Sequence, residues 1–291
     1  MMKKAVSWSG LVFFLFLLVG AQGCAPRTHP GYPVQCGGNT RTDGNYRSRE
    51  SFPGPGTPGK SGGARVVEQC PIPSSAPRTI THEVAPLETV WRIARMYDVK
   101  PEDIYRANRL RPQDPLQIGQ KLVIPNAKAI RHVIALYPNT QWQYIVIHHT
   151  ATDIGKAFSI HRSHQDRGFW NGLGYHFLID NGTLGKGDGQ IEVAPRWIKQ
   201  QSGAHCKAGG MNEKGIGVAL VGNFNLDQPT PRQMESLIYL LRTLTDYYRI
   251  PPSRIVGHRD VEGAATDCPG RRFPWATVRS CLKPSGMART P

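Results

Sequence analysis

Hydrophobic and polar positions divide the chain into four stretches of different character. Gly10 to Gly20 is an apolar run dominated by Leu, Val and Phe behind a basic start at Lys3 and Lys4. From Ala25 to about Arg78, Pro, Gly, Ser and Arg predominate and no apolar face recurs. Such a stretch cannot bury enough surface to offset the entropy of ordering, so it reads as a flexible tether. Alternation then returns in Thr79-Ile80-Thr81-His82-Glu83-Val84, the pattern of a short strand. Val90, Ile93, Ala94 and Tyr97 share one stripe of a helix over Glu88 to Val99. Pro101 opens a second short helix running to Arg109, in the favoured first-turn position, and Gln120 to Pro125 closes with a strand. The order is β-α-α-β in a small module over 79–126, and the stripe is its core.

Arg131 to Leu282 is the largest unit, long enough for a core of its own. Gln143-Tyr144-Ile145-Val146-Ile147-His148 is a continuous β-branched run, as in a strand covered on both faces. Asp153 to about Arg167 reads as a helix, and Tyr175 to Asp180 as a strand turning at Asn181-Gly182. Gly215 to Val221 is another buried strand. Thr230-Pro231 is an N-cap with proline at the first helical position, followed by Met234, Leu237, Ile238, Leu241 and Tyr248 on one face. Ile255-Val256-Gly257 is the last strand. Strands alternating with helices predict an α/β domain, a central mixed sheet flanked by helices, with its core separate from the 79–126 module and a short connector between.

Composition changes this picture in one respect. Lys plus Arg is 36 against 21 for Asp plus Glu, a net charge of +15, which implies an anionic polymer or surface as partner. No basic block with interleaved aromatics appears, so nucleic acid is not expected. The apolar run at the N-terminus is nearer the roughly 7–15 residues of a secretory signal than the ~20 of a membrane span. It ends in Val19-Gly20-Ala21-Gln22-Gly23-Cys24, which resembles a bacterial lipobox with Ala21 where Leu is more usual. Residues 1–23 are then a lipoprotein signal peptide, Cys24 the lipidated first residue of the mature protein, and 24–78 the tether between anchor and domains. The alternative is simple secretion with cleavage nearby. Either way export is expected, and on the lipobox reading the lipid bilayer is a partner through Cys24. Ala25 after the Cys favours the outer membrane where there is one.

The phrases "HEVAPLETVWRIARMYDV", "IYRANRL" and "LQIGQKLVIP" resemble the LysM family, which implies binding of N-acetylglucosamine-containing glycans over 79–126. Contacts would lie in the loops around 85–89 and 111–118. In the larger unit, His148-His149, His258 in "VGHRD" and Cys268 in "TDCPG" are metal-type ligands without the local spacing of a zinc finger or HExxH helix. Successive strand side chains point to opposite faces, so only one of His148 and His149 should bind, and periodicity leaves open which.

The ordered motifs "IVIHHTAT", "HQDRGFWNGLGYHFLID", "GAH", "GIGVALVGNF" and "GHRDVEGAATDCPG" resemble the amidase family shared by phage-type lysozyme-amidases and animal peptidoglycan recognition proteins. The resemblance covers Tyr144 to about Leu282. It implies one zinc ion held by His148, His258 and Cys268, with the tetrahedron's fourth position open for water. It also implies cleavage of the amide between N-acetylmuramic acid and L-alanine of peptidoglycan by zinc-activated water. Tyr175 would orient that water, and Thr266 would hydrogen-bond the developing oxyanion, where phage-type members use lysine. His205 and Asn223 would contact substrate. With Cys24 and Cys268 so assigned, four cysteines remain, and the most local pairing is Cys36–Cys70 with Cys206–Cys281. The competing functions are a non-catalytic peptidoglycan receptor, whose members generally lack the third ligand, and a structural tether of envelope to wall, which leaves the zinc set unexplained.

Overall fold

The computed structural model describes residues 64–69, 73–166 and 172–282. The expected signal peptide, Cys24, Cys36 and Cys70 lie outside them. Two strands precede the first helix: β1 (Arg65–Gln69) and β2 (Pro73–Glu83). Helices α1 (Val90–Tyr97) and α2 (Pro101–Asn108) follow, then β3 (Lys121–Ala129), which pairs antiparallel with β2. Thr89 caps α1 by accepting from Arg92 N–H, and α2 begins on Pro101. Val90, Ile93, Ala94, Met96, Tyr97, Ile104, Leu122 and Ile124 close the module's core.

The larger unit is built on a five-stranded mixed sheet in the order β7-β6-β8-β5-β9. Its strands are β5 (Tyr144–His149), β6 (Phe177–Asn181), β7 (Asp188–Val193), β8 (Gly215–Leu220) and β9 (Ile255–Gly257). β5 lies parallel between β8 and β9, and only β7 runs antiparallel to its neighbour. Every residue of β8 is buried, as expected of a parallel strand covered on both faces. Helix α6 (Pro231–Tyr248) packs its apolar face on the sheet. Its start is a capping box, with Gln233 N–H donating to Thr230 Oγ1 and Thr230 N–H donating to Gln233 Oε1. Helix α3 (Ala157–Asp166), the short α4 (Pro195–Ile198) and α5 (Met211–Lys214), and α7 (Trp275–Cys281) complete the layers.

Three expectations need correction. The tether does not run to Arg78, because Arg65–Gln69 is a strand and β2 begins at Pro73. The connector between modules is not free chain either. Residues 132–136 form β4 (His132–Leu136), paired antiparallel with β1. Val133 and Val66 belong to the small module's core, while Ile134, Leu136 and Val67 belong to the larger one. Successive strand residues face opposite sides, so this ribbon is shared by both cores, and the cores are not separate. Finally, Cys206 is a free thiol whereas Cys281 is disulfide-bonded, so the pairing Cys206–Cys281 does not form. Cys206 sits with Val146, Met211 and Val261, and Cys281 lies in the main core cluster at the end of α7.

Candidate metal centre

Strand register brings the first two ligands together. Ile147 of β5 pairs with Gly257 of β9. His148 follows Ile147 in β5, and His258 follows Gly257 as the first residue of a short 3₁₀ turn, so the two set out from neighbouring positions about 4.8 Å apart at strand spacing. Their ring centroids lie 4.7 Å apart. The third ligand arrives on a loop whose position is fixed by backbone bonds. Arg259 N–H donates to the Cys268 carbonyl at 2.7 Å, and Cys268 N–H donates to Thr266 Oγ1 at 3.1 Å. Ligand atoms of His148, His258 and Cys268 all lie within 4.8 Å of one another. Cys268 Sγ is 3.6 Å from His148 Nδ1. Zinc bonds of about 2.0 Å to nitrogen and 2.3 Å to sulfur at a tetrahedral angle separate two ligand atoms by roughly 3.5 Å, so the cluster is of the right size.

Protonation chemistry also fits a metal. Metal ligation needs neutral imidazole and thiolate. Burial lowers His148 well below its ordinary range, helped by His205 and His258, and burial also lowers His258. Burial instead pushes the Cys268 thiol up to about 12, against the thiolate. A cation held between the three donors would reverse that preference, and His149 N–H already points at Cys268 Sγ from 3.4 Å. The adjacent pair divides as strand geometry requires. His148 faces the cluster, whereas His149 is buried with Nδ1 accepting from Phe224 N–H at 3.0 Å.

Tyr175 stands just before β6, its ring centroid 5.1 Å from that of His148 and 5.7 Å from that of His164. The next residue, His176, is fully buried, with Nδ1 accepting from Gly217 N–H and Nε2 bonded to Gln201 O. Asn223 lies in the loop after β8, its Oδ1 accepting from Asn225 N–H.

His205 is not placed to contact substrate. It is buried, with Nδ1 3.1 Å from His148 Nε2 and Nε2 3.1 Å from the Gly215 carbonyl. Both ring nitrogens are engaged inside the protein. The pattern is satisfied when His148 Nε2–H donates to His205 and His205 Nε2–H donates to Gly215, which leaves His148 Nδ1 as the lone pair facing Cys268. Burial and the neighbouring His176 hold His205 at about 3. The signal for this arrangement is Gly217, two residues into β8: a Cβ there would lie 2.4 Å from His205 Cδ2. "GIG" beside "GAH" marks a strand that must leave room for a ring.

Residues 138–271 match the family model described as N-acetylmuramoyl-L-alanine amidase, and residues 82–125 match the LysM domain. The chain is similar to peptidoglycan-recognition protein SC2 of Drosophila melanogaster, 33% identical over 146 residues, covering 47% of this chain and 72% of the relative. It is 30% identical over 158 residues to the human N-acetylmuramoyl-L-alanine amidase, covering 48% of this chain and 25% of that protein. Among solved structures it is similar to the amidase LysC of Clostridium intestinale, at 35% identity and a TM-score of 0.42, covering 50% of this chain and 90% of that one. The chain therefore belongs to the family of N-acetylmuramoyl-L-alanine amidases and peptidoglycan-recognition proteins, and it carries a LysM domain ahead of that unit.

Proposed function

We propose that this protein is a zinc-dependent N-acetylmuramoyl-L-alanine amidase of the bacterial envelope, exported and lipid-anchored at Cys24. The observation that carries the catalytic reading is the convergence of His148, His258 and Cys268, with ligand atoms within 4.8 Å, beside Tyr175 and Thr266. When bound there, zinc supplies Lewis-acid chemistry, polarising a carbonyl and acidifying water. The chain's residues do the rest. His205 and Gly215 O hold His148 in one tautomer and orientation. The Tyr175 hydroxyl orients the attacking water over the His148 ring and takes part in its proton transfer. Thr266 Oγ1 already accepts from Cys268 N–H, so its own proton is left to donate to the lactyl carbonyl oxygen as charge develops there. The peptide's L-alanine amine leaves after protonation.

Cys268→Ser tests this reading. Serine keeps the shape but is a far poorer zinc ligand. Bound zinc and most amine release from peptidoglycan should disappear while the circular dichroism of the fold persists. Full zinc and full activity in the variant would mean a different metal site. Wild type that binds peptidoglycan and cleaves none of it would be a receptor. The anchor is tested separately: Cys24→Ser should move the protein from the membrane fraction to the soluble extract.

A further inference from the structure

The resemblance to LysM suggests an independent glycan-binding module on a leash. The packing is different. The ribbon β1–β4 lies between the two cores and gives Val66 and Val133 to one, Val67, Ile134 and Leu136 to the other. Around it the contacts are polar and buried. Glu88 accepts from Arg92 Nη1 at 3.0 Å and from Ala85 N–H at 2.8 Å, and bonds His82 Nε2 at 2.8 Å. Arg92 reaches on to the Val133 carbonyl of β4 at 3.4 Å. On the other side Lys186 pairs with Glu192 at 2.8 Å, and Glu192 also accepts from Ala157 N–H, the first residue of α3. Burial would raise the Glu88 carboxyl, yet His82, Arg92 and Lys186 hold it well below the ordinary range. Across the boundary between modules, Gln190 of β7 donates its Nε2–H to Met96 Sδ of α1 at 3.6 Å.

The rim repeats the pattern. Glu83 of β2 pairs with Lys156 at 2.8 Å, one residue before α3. Gly119 faces the ring of Phe158 in α3, which a Cβ at Gly119 would meet at 3.4 Å. Arg131 donates its N–H to the Met96 carbonyl at 2.7 Å and pairs with Asp98 at 3.0 Å. The two LysM loops are tied by Val84 N–H to Gln120 O and Gly119 N–H to Val84 O, while their tips Leu87 and Ile118 stay exposed. From His148 to Lys156 is eight residues, at most about 28 Å of extended chain.

We propose that the LysM module is locked in a fixed register to the metal-bearing unit, so that the preferred substrate is a peptidoglycan glycan strand long enough to lie on both, not a single released muropeptide. The choice of substrate rests on the amidase reading above; the register does not. A tethered module raises only the local concentration of wall. A locked one also sets which amide along a bound strand meets Tyr175 and Thr266, and a fragment too short to touch the LysM loops gains nothing from it.

The test uses the full chain and two substrates, insoluble peptidoglycan and a soluble disaccharide-peptide. A water-soluble carbodiimide joins a carboxylate to an ammonium it already touches, so peptide mapping should find Glu83 coupled to Lys156. The coupled protein should sediment with wall and cleave it as the uncoupled protein does. Lys156→Glu, which sets like charge against Glu83, should lower the ratio of wall to fragment cleavage by at least roughly tenfold, a modest share of the gain linked sites can give. If that variant does not fold, Arg131→Ala, opposite Asp98, replaces it. Absence of the Glu83–Lys156 link, loss of wall cleavage on linking, or an unchanged ratio in the folded variant would each overturn the proposal. Should wild type cleave neither substrate, the amidase reading falls on its own, and binding to wall against fragment carries the same comparison for the register.

Discussion

The two modules are stabilised by different means. In the large unit the main cluster is apolar: Ile145, Ile147, Phe177 and Val218 share one face of the sheet and pack with Leu237 of α6, while the buried Asp180, Lys186 and Glu192 lie in the β6–β7 hairpin. Trp197, fully buried against Trp142 and Phe177, donates its Nε1–H to the Ala135 carbonyl at 2.7 Å. The small module instead buries His82, Glu88 and Arg92 beside Ile93 and Ile104, and Tyr97 Oη closes the network 3.0 Å from His82 Nδ1. A module of this size buries too small a fraction of its surface to rest on apolar packing alone. It borrows Val133 from its neighbour and satisfies its buried charges with one another, a pattern that specifies a unique arrangement more than it adds stability. The comparison teaches that a sequence module and a folding unit need not coincide.

Deleting residues 79–126 is the harshest way to break that comparison. Val133 and Ile130 lose their cover and Arg131 loses Asp98 and the Met96 carbonyl. The expected product is unfolded or aggregated, read by near-ultraviolet circular dichroism; a stable amidase domain from this deletion would restore the picture of independent modules.

Tyr175→Phe sharpens the catalytic side. Zinc content and melting temperature should hold while turnover falls by roughly 10²–10⁴, the range for one positioned acid–base group. An unchanged turnover would remove Tyr175 from the mechanism.

Trp197→Ala and Glu88→Gln compare the two kinds of core directly. The first should cost about 3–5 kcal/mol through lost burial and the cavity left behind. The second leaves Arg92 facing a neutral amide and should cost up to about 3–5 kcal/mol, the range for breaking a buried pair. Denaturant midpoints measure both. The native Glu88 carboxyl is depressed, so its contribution is present above the unfolded value of about 4.3 and is lost as pH falls through the lower folded value. The penalty of Glu88→Gln should accordingly shrink in acid.

Asp180→Asn is the gentlest test. Burial and the adjacent Glu192 push the Asp180 carboxyl well above its ordinary range, which favours the protonated form in the fold. Its contribution is full below the unfolded value of about 3.9 and is lost as pH rises toward the folded value. The amide mimics the protonated acid, so melting temperatures of variant and wild type should agree in acid and diverge in favour of the variant as pH rises. Divergence in the opposite direction would mean that Asp180 is ionised in the fold.

Local pattern was enough to expose several parts of this protein. Thr230-Pro231 marked the start of α6, because an N-cap and a first-turn proline act within one turn, and the structure adds the Gln233 side chain that completes the capping box. The β-branched run ending at His148 marked the buried strand that presents the ligands. The motif "TDCPG" carried Thr266 and Cys268 together, since a two-residue spacing is short enough for one hydrogen bond to enforce.

What the sequence by itself determined was therefore local: the helix caps, the buried strands, the two sets of family motifs and the ligand types they carry. Only the tertiary structure decided which pieces meet. Arg65–Gln69 sits in a Pro- and Gly-rich stretch and becomes a strand because β4, beyond the whole LysM module, supplies its hydrogen bonds. His205 looks like any loop histidine until β8 leaves room at Gly217 and seats it behind His148. Cys206 and Cys281 are parted because one lies beneath the ligand loops and the other at the end of α7. Each outcome depends on pairing between distant segments, which local propensity does not encode and which burial of two shared cores enforces.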